Sequence, residues 1–515
     1  MGRKRERAEP TGSSSSSRSS SSTEVSLSWQ PDDAATAAAA ALLDNLEETE
    51  FDVPLRLDAS TSAASASGPP LAELEAARLL AMRTLSEIFR DKCSVLGAKK
   101  HYAHFEAWLW AARAESMTSG VVPPIPHAGA AAREELITKL TAAGLSELAA
   151  CAASDALQSR AFGLCEGLKR TGTAASAQPP SRPAVTVRRL QAAASTDTLV
   201  LSCGGVDVEV GAAHLAKLQS LFRASAARRE KKRKKNQKKK QKEKDSKAAA
   251  SPATSQHPPP TATLAPTAAP TLPLPPTPRA ADAADSADSF LEAAFCTLAR
   301  LQTLQGGSAL AGGMQAACPG AAFDVLRREL GVTCECFASP LNCRFVRFCS
   351  ASADVDRAFG SEGSFFSFRP ASGAFLANPP FVPATVLAMA ARIDELLADA
   401  DANADADAER RQQLTFVVVI PRWPDDAGWK ALSDSRHATC VLTLPRSKHC
   451  YIDGGQQYGR RATPLRLSNH DSSVFFLQSA AAASARPVTA QTRQALLEAF
   501  RAGFGSSGAS SSTET

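Results

Sequence analysis

Four consecutive residues, Asn378-Pro379-Pro380-Phe381, combine a side-chain amide, two rigid backbone carbonyls and an aromatic ring. This set suits chemistry on an amine attached to an aromatic heterocycle. The lone pair of such an amine is delocalised into the ring, so it attacks poorly. Two hydrogen-bond acceptors aimed at its hydrogens would draw the nitrogen towards a tetrahedral, nucleophilic form. The Asn378 side-chain carbonyl and the Pro379 backbone carbonyl are the acceptors expected here. Proline fixes φ and offers a carbonyl without a competing N–H. Two prolines in a row hold the loop rigid and pre-position the pair. Phe381 would stack on the base, as aromatic side chains do on nucleobases. For the N6 amine of adenine the matching methyl donor is S-adenosyl-L-methionine. That transfer is an in-line displacement that requires no metal and no strong general base. The plain alternative is a turn that ends a strand.

The elements around the motif favour a ligand site. "GAFLA" at 373–377 reads as a short strand ending directly before Asn378. "LTFVVVI" at 414–420 is the strongest strand pattern in the chain, an unbroken β-branched run of the kind buried in parallel sheets. "VTCECF", "CVLTL" and "SVFFL" add strands, and "FLEAAFCTLARLQTL", "FDVLRREL", "VLAMAARIDELLADA" and "TAQTRQALLEAF" read as helices. Alternating strands and helices predict an α/β domain with a largely parallel sheet. Such sheets bind ligands beyond the carboxyl ends of their strands, where Asn378 falls.

Upstream, residues 71–223 read as a helical domain with a β-hairpin. Leu71, Leu74, Ala77 and Leu80 recur at helical spacing, as do Leu85, Ile88 and Phe89. Phe105, Trp108 and Leu109 form another stripe, best explained as a helix-packing core. "DTLVLSCGGVDVEV" alternates around a Gly-Gly turn, as a hairpin does. The Ser-rich stretch 1–33 and the tail 503–515 are expected to be disordered, as is the insert 224–284. Residues 285–502 form the α/β domain.

Charge is concentrated in one place. Residues 228–247 hold 13 Lys/Arg and 3 Asp/Glu, whereas the whole 515-residue chain carries only +6. Outside the tract the chain is therefore mildly acidic. Such a run fits a nuclear-localisation signal read by import receptors, or a tether for nucleic acid. The 12 cysteines show no C-x-x-C pair, so buried thiols explain them better than a metal site. There is no secretory signal, and no apolar run approaches the length of a membrane span. The expectation is a soluble, intracellular protein without membrane contact.

The block "VTCECFASPLNCRFVRFCSASADVDRAFGSEGSFFSFRPASGAFLANPPF" resembles the phosphorylated-CTD-interacting factor family, the cap-specific adenosine N6-methyltransferases. The likeness continues through "FVVVIPRW", "LTLPRSKHCYIDGGQQ" and "SSVFFLQ". The resemblance implies a nuclear enzyme that methylates N6 of the first transcribed 2′-O-methyladenosine, next to the 7-methylguanosine cap. It implies a Rossmann-like methyltransferase domain packed on an α-helical domain, with the capped RNA end in the groove between them. Carried over, Asn378, Pro379, Pro380 and Phe381 become the catalytic loop. Phe337, Ala338, Ser339, Pro340 and Asn342 then lie against S-adenosyl-L-methionine, joined by Asn378 and Phe381. They stand where a methyltransferase usually has a glycine loop, and Gly360 and Gly363 are the alternatives. Arg422, Trp423, His449 and Tyr451 are the candidate substrate contacts, and Trp429 is a further candidate for stacking on bases.

Three departures qualify the likeness. Animal members carry an N-terminal WW domain, which needs two tryptophans about two dozen residues apart. Here Trp29 stands alone until Trp108, so no WW domain is visible and polymerase-tail binding is not supported. The acidic residues that usually follow the motif are replaced by Pro383 and Ala384, and the family's "IPEW" appears as Ile420-Pro421-Arg422-Trp423. The Lys-rich insert is an addition. Methylation of internal RNA adenines or of DNA, and a catalytically silent RNA-binding role, are the alternative readings.

Overall fold

The computed structural model describes residues 72–96, 98–113, 116, 123–126, 129–177, 185–190, 198–249, 280–307, 315–402, 412–454 and 465–501. The Ser-rich N-terminus, the Pro-rich part of the insert and the C-terminal tail lie outside them.

Four helices come first: α1 (Ala72–Lys92), α2 (Ala98–Ala111), α3 (Ala130–Ala142) and α4 (Glu147–Ala177). They pack around Phe89, Phe105, Trp108, Leu140 and Leu157. Burying each such side chain contributes about 1.5–3 kcal/mol. The Phe105–Trp108–Leu109 stripe is core, as its spacing predicts. The first stripe of α1 is rotated by about one position. Ala72, Glu75, Ala76 and Leu79 face inward, and Leu80 is exposed. A charged residue, Glu75, sits at the centre of the buried face because a partner on another helix neutralises it, and apolar spacing alone cannot report that.

Strands β1 (Thr186–Arg189), β2 (Thr198–Cys203) and β3 (Val206–Gly211) form an antiparallel sheet. Gly204 and Gly205 both have positive φ, 56° and 72°, which a two-residue hairpin turn of this hand requires. Val206, Val208 and Val210 all point into the core.

Helix α5 (Ala212–Ala249) follows β3 without a break. Leu215, Leu218 and Leu221 anchor its first turns. The Lys-rich tract, expected to belong to a disordered insert, continues this helix. Lys, Arg, Gln and Glu are good helix formers, and extending a helix already nucleated by packing fixes only one residue per added bond.

Helix α6 (Ala280–Leu304) is the seam of the molecule. Phe295 and Leu298 share one core with Leu79 of α1, Val208 of β3, and Leu341, Phe348 and Phe359 from the α/β half. The boundary drawn at 285 therefore falls inside a helix that both halves share.

The remaining elements are α7 (Gly320–Leu330), β4 (Val332–Glu335), β5 (Gly373–Ala377), α8 (Pro383–Ala402), β6 (Leu414–Pro421), α9 (Ala427–Asp434), β7 (Ala438–Leu444), β8 (Cys450–Ile452), β9 (Leu465–Leu467), β10 (Ser472–Gln478), α10 (Ala480–Ala485) and α11 (Ala490–Arg501). Gly331, with φ 73°, closes α7 and turns the chain into β4.

The main sheet runs β4-β5-β6-β10-β7. β4, β5 and β6 are parallel, but β10 is antiparallel to both β6 and β7. The sheet is therefore mixed rather than largely parallel. Ser472 at the start of β10 sits beside Pro421 and Leu444, the last residues of β6 and β7, so the strand must run back. Beyond β4, Phe348 makes parallel bridges to Glu335 and to Ser361, which carries the sheet two steps further. Phe416, Val418 and Ile420 of β6 face α8 and α9, while Val417 and Val419 face α7 and α11. A strand buried on both faces reads as the unbroken apolar run seen in the sequence. No helix among the described residues is long and apolar enough to cross a membrane.

Candidate active site

Strand β5 ends at Ala377, and the Asn-Pro-Pro-Phe loop follows at its carboxyl end. Val382 N donates to the Pro380 carbonyl at 2.7 Å, which tightens the loop. Pro383 is the first residue of α8, the position where a missing N–H costs nothing and the fixed φ suits a helix. The residue that breaks the family's pattern after the motif is thus a helix start. Asn378 Nδ2 donates to the Ala316 carbonyl at 3.0 Å. Its Oδ1 is buried and has no hydrogen-bond partner among the described residues. A buried acceptor left open costs about 1–3 kcal/mol, and a catalytic or binding role is one of the explanations such an atom can have.

Asn378 is one of the residues lining a cleft that holds about 820 Å³ of empty space, the part open to solvent included. Phe337, Ala338, Ser339, Asn342, Asn378 and Pro380 line it, so two segments about forty residues apart in sequence converge on it. Pro340 is not a lining residue; it is buried beneath the turn. Trp110 of α2 and Leu304 of α6 close the cavity from the helical side. Thr297, Arg300 and Asp356 form a polar wall. Asp356 accepts from Thr297 Oγ1 at 3.2 Å, and burial pushes its carboxyl up to about 7.

The turn after β4 is held by its own polar groups. Asn342 Oδ1 accepts from Ser339 N at 2.6 Å, and Glu335 accepts from Arg344 N at 2.7 Å and Phe345 N at 3.0 Å. Lys217 of α5, buried and with its pKa lowered by burial, donates to the carbonyls of Leu341 and Cys343 at 2.8 and 2.6 Å. Charged groups outside the turn thus anchor its backbone by hydrogen bonds. Gly363 instead supports the next segment, its carbonyl accepting from Ser350 N at 2.9 Å. Cys336, Cys343 and Cys349 are free buried thiols, each with its pKa raised by burial.

Four candidate substrate residues separate into two kinds. Trp423, 38% exposed, meets Phe381 edge-on at 6.4 Å, and Arg422 beside it is exposed. His449 is wholly buried, bonded to the Pro445 carbonyl at 2.8 Å and to Ser472 Oγ at 2.9 Å. The Tyr451 hydroxyl meets the same Ser472 Oγ at 2.8 Å. His449 and Tyr451 are therefore framework rather than substrate contacts, because their polar atoms are satisfied inside the protein. Trp429 is also framework, donating from Nε1 to Ser473 Oγ at 3.0 Å and packing on Phe475. The ring of Phe381 does not line the cavity but sits among Trp423, Tyr451 and His470 at 6.2–6.4 Å. His470 was not legible in the sequence. Burial and the nearby Arg466 charge lower its pKa. Gln315, Ala316 and Asp356 were not legible either: "GGMQAACP" has no chemical signature, and Asp356 is one of many acids.

The fold and site define a mixed α/β protein with a ligand cavity at the carboxyl ends of its parallel strands. Residues 278–454 match the family described as phosphorylated CTD interacting factor 1 WW domain. That segment is similar to the phosphorylated-CTD-interacting factor family. An mRNA (2′-O-methyladenosine-N(6)-)-methyltransferase of Mus musculus is 36% identical over 215 residues, 41% of this chain and 29% of the relative. The Homo sapiens protein of the same name is 35% identical over the same share of each. The match spans 29% of the length of these curated relatives. The expectation that no WW domain is visible is corrected by the family match. That expectation rested on the missing tryptophan pair around Trp29, whereas the match falls on the α/β half, where the tryptophans are Trp423 and Trp429.

Proposed function

We propose that the α/β half is a Rossmann-like, S-adenosyl-L-methionine-dependent methyltransferase. It acts on N6 of adenosine in RNA, at the first transcribed 2′-O-methyladenosine beside the 7-methylguanosine cap. The observation that carries this reading is the buried, unpartnered Oδ1 of Asn378, a residue that lines the cavity. The sheet order supports it: with the two bridges it runs Ser361, Phe348, β4, β5, β6, β10, β7, with the cavity past the ends of the parallel strands. The matched relatives' printed activity supports the substrate.

The cavity suits S-adenosyl-L-methionine in its lining. Phe337 and Phe365 offer apolar faces, and Ser339, Ser350 and Asp356 offer polar groups to a nucleoside and an amino acid. The cofactor supplies a methyl carbon electrophilic enough for direct displacement. The chain's part is to bind and orient the base. Asn378 Oδ1 accepts one N6 hydrogen and the Pro379 carbonyl accepts the other, so the lone pair is freed from the ring. Preorganised acceptors that need no rearrangement at the moment of reaction are worth several kcal/mol. Trp423 and Phe381 supply aromatic surface for neighbouring bases.

Transfer of a labelled methyl group tests this reading on capped and uncapped RNAs that begin with A, on RNA with internal A only, and on DNA. Capped RNA should be labelled best. Equal labelling of capped and uncapped RNA would sink the cap assignment, and no labelling of any substrate would sink the enzyme.

A further inference from the structure

The orientation of the Asn378 amide is decided from outside the motif. An asparagine amide has a donor end and an acceptor end, and only one orientation leaves the acceptor open. The Ala316 carbonyl can only accept, so it selects Nδ2 as its partner and leaves Oδ1 open. The reverse orientation would set two acceptors against each other and take the amide donors away from the carbonyl.

The segment that presents this carbonyl is pinned at both ends. Ala317 exchanges two backbone bonds with Ile452 of β8, at 3.0 and 2.8 Å. On the other side Asn342 Nδ2 donates to the Gln315 carbonyl at 3.3 Å, and Ser339 Oγ donates to Gln315 Oε1 at 2.8 Å. Asn342 is occupied at both ends of its amide, since its Oδ1 caps Ser339 N.

We propose that Gln315, Ser339 and Asn342 form a clasp whose function is to hold the Ala316 carbonyl and so set the amide of Asn378. Gln315 is a positioning residue, acting through Ala316. Asn342, expected to contact the cofactor, acts here as the second arm of the clasp. The proposal rests on the methyl-transfer reading of Asn378.

Two variants open the clasp from different sides. Asn342→Asp keeps the oxygen that caps Ser339 but sets an acceptor against the Gln315 carbonyl. Gln315→Leu removes the nearer of two acceptors for Ser339 Oγ, the other being Asn342 Oδ1 at 3.1 Å, whereas Gln315→Glu retains both. Turnover on capped RNA is measured with calorimetric binding of S-adenosylhomocysteine and with the KM for RNA. Asn342→Asp and Gln315→Leu should lower kcat on the order of tenfold, with both binding measures within about twofold of wild type. Gln315→Glu, which keeps the acceptor, should recover part of the kcat lost in Gln315→Leu. Wild-type kcat in both opening variants overturns the clasp, and so does a loss of S-adenosylhomocysteine affinity that parallels the loss of kcat. Asn378→Ala, assayed alongside, separates the two claims. If it turns over normally, the methyl-transfer reading itself fails; if it is inactive while the opening variants are not, only the clasp fails.

Discussion

Arg300 and Glu75 meet in a two-point ion pair, Nε to Oε2 at 2.8 Å and Nη2 to Oε1 at 2.7 Å. The pair is buried and ties α6 to α1, and Arg300 also reaches Asp354 at 2.9 and 3.0 Å. Burial works against the charge of Arg300, but the two acids hold its pKa above the ordinary value. Glu75→Ala leaves a guanidinium buried with one partner fewer. It should cost about 3–5 kcal/mol, read as a lower midpoint in chemical denaturation. A midpoint within experimental error of wild type would show that the pair holds nothing together.

Trp423 and Trp429 should answer to different measurements. Trp423→Ala removes an exposed ring beside Phe381, and loss of base stacking there should raise the KM for RNA about 5- to 100-fold with a smaller change in kcat. Trp429→Ala should lower the melting temperature instead, because its indole is bonded to Ser473 and packed on Phe475. Identical effects from the two variants would contradict this division.

The basic helix should act on RNA through charge alone. Arg228 ties α5 to the Val346 carbonyl at 3.0 Å, and the residues beyond it to Lys242 are largely exposed. Deleting 229–247 should weaken single-stranded RNA binding and flatten its dependence on salt, by about 0.7 in slope for each phosphate the tract neutralises. An unchanged salt slope together with lost nuclear accumulation would make the tract a localisation signal instead.

The contribution of two buried acids to stability should fall as pH rises from about 4 to 7, against that of buried His214, whose lowered pKa works in the opposite direction. The Asp356 carboxyl is raised to about 7 by burial, and Glu335 is raised to about 7 by the same cause. In the unfolded chain such groups lose their proton near pH 4. Between those values the folded state binds more protons at these two acids than the unfolded state, so their contribution falls with rising pH and levels off above about 7. Asp356→Asn should gain on wild type across that window and hold a constant lead above it. A lead that does not change between pH 5 and 8 would rule out Asp356 as the source.

Local chemistry is legible in the chain itself. The Asn-Pro-Pro-Phe loop, the strand that leads into it and the unbroken run of β6 each follow from residues close together in sequence. Turn propensity, β-branching and hairpin glycines act over a few bonds, so a linear reading captures them. Gly204-Gly205 and the Phe105–Trp108 stripe are legible for the same reason. The rotated face of α1 is not, since the buried partner of Glu75, Arg300, lies 225 residues away, beyond the local Arg78 that also pairs with it.

The sequence by itself determined which four residues carry acceptors and a ring, and that they stand at a strand's end. Only the tertiary structure decided which way Asn378 points. Ala316, 62 residues distant, supplies the acceptor that turns the amide, and Ser472 satisfies the His449 and Tyr451 that would otherwise read as site residues. The physical reason is that a hydrogen bond depends on position in space, and chain separation places no mark on either partner.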